Sequence, residues 1–219
     1  MSGDYTGHVD PGGPPAVRAL GRLTITKVSV GPMDNNAYLL ECTSTGELCL
    51  VDAANDATTL LDLVGDRPLR RVVTTHRHRD HWQALEEVVA VTGAATAAGR
   101  ADAEAIPVET RDPLDDGDTL TVGDVDLHVI TLVGHTPGSV ALLLDDAEAG
   151  QHLFTGDSLF PGGPGKTGSP EDFTSLMDDL EERIFGRLGD DTWVYPGHGK
   201  DSTLGVERPH LGEWRARGW

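Results

Sequence analysis

Residues 76–81 read H-x-H-x-D-H and place four side chains that can bind a metal ion within six positions. Residues two apart on an extended segment point to the same side, so His76 and His78 can approach one ion while Asp80 and His81 reach a second. Imidazole nitrogen and carboxylate oxygen are ligands of catalytic zinc, which keeps one position open for water. The spacing therefore predicts a transition-metal site that supports hydrolytic or oxidative chemistry.

Three further candidate ligands lie in glycine-containing segments downstream. His135 lies in G-H-T-P-G-S, Asp157 in G-D-S and His198 in P-G-H-G. A glycine before each ligand allows unusual backbone angles and a close approach to an ion. Five histidines and two aspartates are enough for two ions with one carboxylate to bridge them. Two such ions can activate a shared hydroxide and stabilise an oxyanion.

The elements that must position these residues are predicted from hydrophobic periodicity. Each candidate ligand follows a predicted strand, and helical patterns follow the groups of strands. The predicted strands are Leu23–Val30, Ala37–Cys42, Glu47–Asp52, Leu69–Thr75, Thr119–Val122, Val125–Val133, Val140–Leu144, His152–Thr155 and Trp193–Tyr195. The predicted helices are Asp56–Val64, a segment from near His81 to Thr92, and a segment capped by Ser169 that carries an apolar stripe to Ile184.

This order of elements predicts an α/β fold, a layered α/β/β/α sandwich. Residues 18–219 are expected to form a single domain. Residues 1–17, which are rich in glycine and proline, are expected to form a flexible tail. In the strand that ends at Asp52, an unbroken apolar run from Leu48 to Val51 is typical of a strand covered on both faces.

The composition limits the classes of partner. The 219 residues include 36 acidic and 17 basic ones, for a formal net charge of −19. Such a surface repels nucleic-acid phosphates and anionic membranes, so neither is an expected partner. Cys42 and Cys49 are expected to be reduced and buried. With no leader or bilayer-spanning run in the sequence, a cytoplasmic protein is expected, and its oligomeric state stays open.

Taken together, H-x-H-x-D-H, G-H-T-P-G-S, G-D-S and P-G-H-G resemble the metallo-β-lactamase superfamily, and within it the glyoxalase II-like branch, over nearly all of residues 23–200. The resemblance implies an αββα sandwich with the metal site along one edge of the two sheets. It implies two Zn²⁺ ions, with Fe or Mn as alternatives, and an aspartate, Asp52, that orients a ligand. The implied ligands are His76, His78 and His135 for the first ion, Asp80, His81 and His198 for the second, and Asp157 as the bridge.

The same resemblance implies a binuclear hydrolase acting on a small-molecule acyl substrate. A metal-bound hydroxide would attack the carbonyl of a thioester, ester or lactone. Asp80 would position the hydroxide and pass its proton to the leaving group. Lys166 ends a G-P-G-K segment where glyoxalase II has G-C-G-K or G-C-G-R, which implies that it binds the substrate.

Three other functions remain open at this point. A persulfide dioxygenase-like enzyme would use one iron held by His76, His135 and Asp157. Lactonase or weak β-lactamase activity is a second alternative, although β-lactamases with H-x-H-x-D-H lack the bridging aspartate. The third is a binding protein without catalytic activity, which the complete ligand set disfavours.

Overall fold

The structure, a computed structural model, describes residues 5–218. Within them the strands are β1 Ala16–Ala19, β2 Leu23–Val30, β3 Asn35–Cys42, β4 Leu48–Val51, β5 Leu69–Thr74, β6 Ala95–Gly99, β7 Asp112–Leu114, β8 Thr119–Val122, β9 Val125–Thr131, β10 Val140–Asp146, β11 Gly150–Gly156, β12 Leu159–Phe160, β13 Gly163–Pro164, β14 Trp193–Pro196 and β15 Ser202–Thr203. The helices are α1 Ala57–Val64, α2 Leu85–Thr92, α3 Arg100–Ala103, α4 Pro170–Asp179, α5 Leu204–Glu207 and α6 Leu211–Arg217. Short 3₁₀ turns lie at Arg79–His81 and Arg208–His210, and a π-helical segment, Leu180–Phe185, continues α4.

Two large sheets form the centre of the molecule. The first has the strand order β1-β2-β3-β4-β5-β6-β7, and β4 to β7 run parallel to one another. The second has the order β15-β14-β11-β10-β9-β8, in which only the β11–β14 pair is parallel. Strands β4, β5, β9, β11 and β14 all end just before a segment that carries a predicted ligand or Asp52.

Alternating side chains divide the apolar residues into three clusters, and these clusters define the layers. One lies between the two sheets, and the other two lie between each sheet and its helices. The inner cluster includes Tyr38, Leu40, Cys49, Val51, Leu142 and Phe154. The outer cluster of the first sheet includes Leu39, Leu48, Leu50, Leu60, Leu85 and Val88. The outer cluster of the second sheet includes Leu143, Leu153, Leu176, Met177, Ile184 and Trp214.

This arrangement confirms the predicted four-layer αββα sandwich. In β4, Cys49 and Val51 face the inner cluster while Leu48 and Leu50 face the helices, which explains the unbroken apolar run. Both faces are buried, as expected for a central strand between two apolar layers. Cys42 and Cys49 are free thiols and both are buried.

Some boundaries differ from the predicted ones. The helix after His81 begins only at Leu85, because residues 79–81 form a 3₁₀ turn first. The helix capped by Ser169 begins as predicted, with the Ser169 hydroxyl accepting from the Asp172 amide, but becomes π-helical from Leu180. The predicted elements do not include strands β1, β6, β7, β12, β13 and β15 or helices α3, α5 and α6.

The segment before β2 makes tertiary contacts. The Tyr5 hydroxyl donates to Asp201 at 2.7 Å, Val9 is buried, and Ala16–Ala19 pairs with β2. The buried ammonium group of Lys27 donates to the carbonyl oxygen of Gly7 and to Asp201. Residues 1–4 of the predicted tail, and residue 219 of the predicted domain, lie outside the described range. The division at residue 17 stays a prediction, while the contacts attach residues 5–19 to the sandwich.

Candidate metal centre

All seven predicted ligands meet at one edge of the two sheets. Those of the H-x-H-x-D-H run follow β5 of the first sheet, and the other three follow β9, β11 and β14 of the second. Backbone hydrogen bonds join the sheets at this edge, from Val140 to the Thr75 carbonyl and from Asn36 to the Gly197 carbonyl. The centre has two halves, and each combines side chains from both sheets.

The first half consists of three histidines. The distance between His76 Nε2 and His78 Nδ1 is 3.1 Å, that between His78 Nδ1 and His135 Nε2 is 2.9 Å, and that between His135 Nε2 and His76 Nε2 is 3.2 Å. Two nitrogens bound to one tetrahedral zinc ion lie about 3.3 Å apart. The three nitrogens thus form a triangle close to the size that one ion requires.

The second half consists of Asp80, His81 and His198. His198 Nε2 lies 3.2 Å from Asp80 Oδ2 and 3.3 Å from His81 Nε2, and the distance between Asp80 Oδ2 and His81 Nε2 is 3.6 Å. The amide of Asn35 donates to Asp80 Oδ2 at 3.0 Å and fixes the orientation of that carboxylate. This triangle can also hold one ion.

The carboxylate of Asp157 lies between the two triangles. Its Oδ2 is 3.9 Å from His76 Nε2 and 3.7 Å from His135 Nε2 on one side, and 3.4 Å from His198 Nε2 on the other. Its Oδ1 is 3.3 Å from His81 Nε2. A carboxylate in this position can bind an ion on each side.

Oxygen atoms outside the centre hold the histidine rings. The Nδ1 atoms of His81, His135 and His198 lie 2.7, 2.6 and 2.9 Å from Asp52 Oδ2, the Lys166 carbonyl and the Met33 carbonyl, respectively. Each of these oxygens accepts the Nδ1 proton, which leaves Nε2 free to bind a metal.

The chemistry of the convergent atoms fits cations. Nitrogen lone pairs and carboxylate oxygens face one another at 2.9 to 3.9 Å. These atoms repel one another unless positive charge lies between them. Asp157 Oδ1 is buried and has no hydrogen-bond partner among residues 5–218. Such an atom is costly to bury unless a bound cation or water satisfies it. The donor set of imidazole and carboxylate suits divalent transition metals.

The pKa values of the side chains in the centre depend on their burial and on the charges beside them. Burial opposes a charge on His81, but the carboxylates of Asp52 and Asp157 outweigh it and raise the pKa of His81 to about 10. Burial lowers the pKa of His76 well below its ordinary value. Burial acts to raise the pKa of Asp157, yet the nearby imidazoles of His198 and His81 hold it well below the usual range. Protons and metal ions compete for these positions, so metal binding releases protons.

Two buried aspartates fix the loops that carry the ligands. Asp52, in a left-handed conformation with φ of 60°, accepts from the amide and hydroxyl of Thr75 in addition to His81. Asp102, fully buried on α3, accepts from the Arg77 amide at 2.9 Å and from the Gly138 amide at 2.9 Å.

A third hydrogen bond to Asp102 comes from the hydroxyl of Thr136, at 2.5 Å. Arg77 separates His76 from His78, and Thr136 follows His135. One carboxylate therefore connects Arg77 and Thr136, the residues next to the three histidines of the first half.

The loop that carries His198 is held by the first sheet. Lys27 donates to the Gly199 carbonyl at 2.7 Å, and the amide of Asn36 donates to the carbonyls of Pro196 and Gly199. The hydroxyl of Tyr38 also donates to the Pro196 carbonyl, at 2.7 Å. These donors fix the backbone on both sides of His198.

A cavity of about 600 Å³ opens beside the first half of the centre. It is lined by Arg77, His78, His135, Lys166 and Asp172, among others. The predicted substrate contact, Lys166, is exposed here, and its carbonyl is the group that orients His135. The cavity provides the space for a small molecule next to the metal-binding atoms.

Sequence reasoning missed the contributions of Asn35, Asp102 and the carbonyl of Met33. Neither Asn35 nor Asp102 lies in a metal-binding pattern, so their effect on the centre depends on tertiary contacts alone. No signal in the sequence marks a carbonyl group as an acceptor. None of the helices within residues 5–218 combines the length and apolar character needed to cross a lipid bilayer.

Comparison with known proteins gives a consistent set of similarities. The family model of the metallo-beta-lactamase superfamily matches residues 30–198. A hydroxyacylglutathione hydrolase of Fuscovulum blasticum is 34% identical over 172 residues, which cover 75% of this chain and 62% of the relative. The chain thus spans about three fifths of the length of that relative.

Solved structures share the architecture. The crystal structure of the BLEG-1 B3 metallo-beta-lactamase matches with a TM-score of 0.75 and 26% identity, over 87% of this chain and 99% of that chain. The structure of TTHA1623 in a di-iron-bound form matches with a TM-score of 0.69 and 30% identity, over 83% of this chain and 96% of that chain.

Proposed function

The chain belongs to the metallo-β-lactamase superfamily, and we propose that it is a binuclear metal-dependent hydrolase of small-molecule thioesters, with esters and lactones as further substrates. The observation that carries the proposal is the position of Asp157 between two triangles of ligand atoms. The 34% identity to a hydroxyacylglutathione hydrolase supports a thioester as the bond that is cleaved.

The proposed ligands are His76, His78 and His135 for one ion, Asp80, His81 and His198 for the other, and Asp157 for both. We propose Zn²⁺ as the metal, with Fe or Mn as alternatives, because nitrogen and oxygen ligands suit all three. Bound ions of this kind supply a nucleophilic hydroxide at neutral pH and positive charge beside a developing oxyanion.

Asp80 is the proposed proton carrier. Burial acts to raise the pKa of Asp80, but the hydrogen bond from Asn35 and the charge of His81 lower it below its ordinary value. Its carboxylate is therefore ionised at neutral pH and can accept a proton from the attacking water. That proton ends on the sulfur of the leaving thiol, so the overall reaction converts a thioester and water into a carboxylic acid and a thiol.

Lys166 is the proposed substrate contact. Its carbonyl orients His135, and its side chain lies in the lining of the cavity beside the first triangle. A lysine in this position can hold an anionic part of the substrate while the carbonyl carbon lies near the metals.

The main alternative is a mononuclear iron oxidoreductase that uses His76, His135 and Asp157. Such an enzyme would give Asp80, His81 and His198 no role as ligands, although their ligand atoms converge to within 3.2 to 3.6 Å of one another. Metal content and oxygen consumption with a thiol persulfide separate the two functions.

The test combines elemental analysis with a panel of thioesters, esters and lactones. About two transition-metal ions per chain and hydrolysis of at least one thioester are expected. His78→Ala is expected to abolish hydrolysis while the fold persists, because His78 is exposed and its loss leaves no large cavity. The matched control is His128→Ala, which removes an exposed histidine of β9 that has no part in the centre.

Full activity of metal-free protein would refute the proposal. Oxygen uptake with a persulfide and one iron per chain would replace it with the oxidoreductase.

A further inference from the structure

A buried lysine of β2 connects the N-terminal segment to the loop that carries His198. Strand alternation places Lys27 on the face of β2 that carries Leu23 and Ile25, toward the inner cluster. Its side chain is fully buried, although a charged group is costly to bury unless acceptors surround it. The partners of this ammonium group therefore show what the lysine holds together.

Three acceptors satisfy the three protons of the Lys27 ammonium group. The carbonyl oxygen of Gly199 lies at 2.7 Å, the carboxylate of Asp201 at 2.6 Å and the carbonyl oxygen of Gly7 at 3.0 Å. Two of these acceptors follow His198 in the same loop, and the third comes from the N-terminal segment. The lysine thus joins that segment to the loop.

Residues 5–9 lie on the other side of this buried ion pair, and we call them the N-terminal strap. The Gly7 carbonyl accepts from the Asp201 amide at 2.9 Å as well as from Lys27. The Tyr5 hydroxyl donates to the Asp201 carboxylate at 2.7 Å. The strap therefore makes hydrogen bonds to both members of the ion pair.

The strap lies in close contact with Asp201. Gly7 has a φ of 73°, and an added Cβ there would lie 2.7 Å from the Asp201 Cβ. A side chain at this position would push the strap away from the ion pair, so the contact requires glycine. Gly12 has a similar φ of 70°, but an added Cβ there meets nothing within 4 Å.

The contacts of Lys27 and the strap act on one half of the metal centre. The Gly199 carbonyl directly follows His198, whose Nε2 lies 3.2 Å from Asp80 Oδ2 in the second half. The loops of the first half are held instead by the carboxylate of Asp102. Loosening the strap is therefore expected to weaken binding of the second ion and to leave the first ion in place.

We propose that Lys27 is a positioning residue for His198, and that docking of the N-terminal strap on Lys27 and Asp201 sets the affinity of the second half of the centre for its ion. This inference rests on the binuclear centre of the proposed function and adds to it a segment that controls one of the two ions. The coupling is reciprocal, because a segment whose docking strengthens metal binding is itself held more firmly when the metal is bound.

The test titrates Co²⁺ into metal-free protein and measures the visible absorption spectrum and the dissociation constant of each equivalent. Reference spectra come from His78→Ala and His198→Ala, because each variant removes a proposed ligand of one half and keeps those of the other half. Circular dichroism before each titration checks that the metal-free variants are folded.

The wild-type protein is expected to bind two equivalents of Co²⁺. Lys27→Met is expected to weaken binding in the second half about 10- to 100-fold, the effect of losing a contact that holds a ligand in place, and to leave binding in the first half unchanged. The matched control is Lys200→Met, which removes an exposed lysine of the same loop and is expected to keep both dissociation constants.

Gly7→Ala changes the strap and leaves Lys27 and all proposed ligands in the chain. It is expected to weaken binding in the second half about 10-fold, the lower end of the same range, because the strap moves away from the ion pair. Gly12→Ala adds the same backbone strain without the collision and is expected to bind as the wild type does. If Lys27→Met does not fold, Gly7→Ala and its control decide the inference.

Amide hydrogen exchange provides a second measurement that does not depend on activity. The Asp201 amide donates to the Gly7 carbonyl, so its exchange reports on docking of the strap. A metal ion in the second half is expected to slow this exchange in the wild-type protein, and Gly7→Ala is expected to lose the protection. Equal exchange with and without the ion would overturn the coupling.

Two results of the titration overturn the inference while the proposed function stands. One is a wild-type dissociation constant for the second half in folded Lys27→Met or in Gly7→Ala. The other is an equal weakening of both halves, which would mean that the lysine and the strap support the whole fold and not His198. A wild-type protein that binds only one ion would instead refute the binuclear centre, and the inference would fail with it.

Discussion

Replacing Gly197 by alanine tests whether the centre is as tightly built as its geometry indicates. An added Cβ at Gly197 would lie 2.2 Å from Asp157 Oδ1 and 2.7 Å from His81 Cε1. The backbone cannot move away easily, since the Gly197 amide donates to the Gly156 carbonyl and its own carbonyl accepts from the Asn36 amide. The Asp157 and His81 side chains must therefore move.

The size of the movement follows from these distances. An ordinary contact of a Cβ begins at 3.4 Å, so Asp157 Oδ1 must move by 1.2 Å, the difference between 3.4 and 2.2 Å. Metal–ligand distances tolerate deviations of only about 0.2 Å. A displacement of about 1 Å near a reacting centre costs on the order of 100-fold in rate. We expect Gly197→Ala to lose at least one of two ions and about 100-fold or more in kcat/KM.

The assay measures metal per chain after dialysis, thioester hydrolysis, and the far-UV and near-UV circular dichroism spectra. The control is Gly212→Ala on α6, where an added Cβ meets nothing within 4 Å. It is expected to keep both ions and to stabilise the helix by about 0.5 to 1 kcal/mol. A folded Gly197→Ala protein with wild-type metal content and turnover would refute the reasoning that Asp157 and His81 are fixed ligands.

Three further changes have expected outcomes. Asp52→Asn keeps the left-handed backbone, which asparagine tolerates, but removes the carboxylate that orients His81; metal affinity measured by chelator competition is expected to fall about 10- to 100-fold. Asp102→Asn places an amide group among three donors and is expected to lower the free energy of unfolding, measured in urea, by about 2 to 3 kcal/mol. An unchanged free energy of unfolding would contradict the role of this carboxylate in holding the loops. Burial, and then the charge of Arg18, lowers the pKa of His152 from 6.5 to about 4. The unfolded chain therefore binds more protons between these pH values, so stability is expected to fall by about 2 to 3 kcal/mol as pH drops through that window. His152→Gln is expected to remove this dependence. If the free energy of unfolding changes with pH equally in the two proteins, the histidine does not cause the change.

The strands and the convergence of the candidate ligands were predictable where the signal is local. The run from Leu48 to Val51 predicted a strand covered on both faces, and the structure confirms it. The predicted ligands could be recognised because each pattern contains several chemically specific residues at fixed spacing, and they lie together because the strands before them end at one edge of the two sheets. Their convergence is observed, while their role as ligands remains a proposal.

The elements and site residues that the sequence did not predict depend on contacts between residues distant in the chain. Strand β6 has the sequence Ala-Thr-Ala-Ala-Gly, in which the alanines and the glycine do not favour strands, and it forms because β5 and β7 pair with it on either side. Asp102 follows that strand, and its effect on the centre depends on hydrogen bonds from Arg77 and Thr136, which lie 25 and 34 residues away in the sequence. The composition of residues 1–17 did not indicate the contact of Tyr5 with Asp201.

The division of the ligands between the two sheets has a consequence for the dynamics of unfolding. In each triangle the H-x-H-x-D-H run of the first sheet meets a histidine of the second, so an ion in either position would act as a crosslink between chain segments 57 to 118 residues apart. A metal clip that closes a long loop reduces the freedom of the unfolded chain. The ligand edge of the sandwich is therefore expected to open first when a chelator removes the ions, with amide hydrogen exchange accelerating there before it does in the inner cluster.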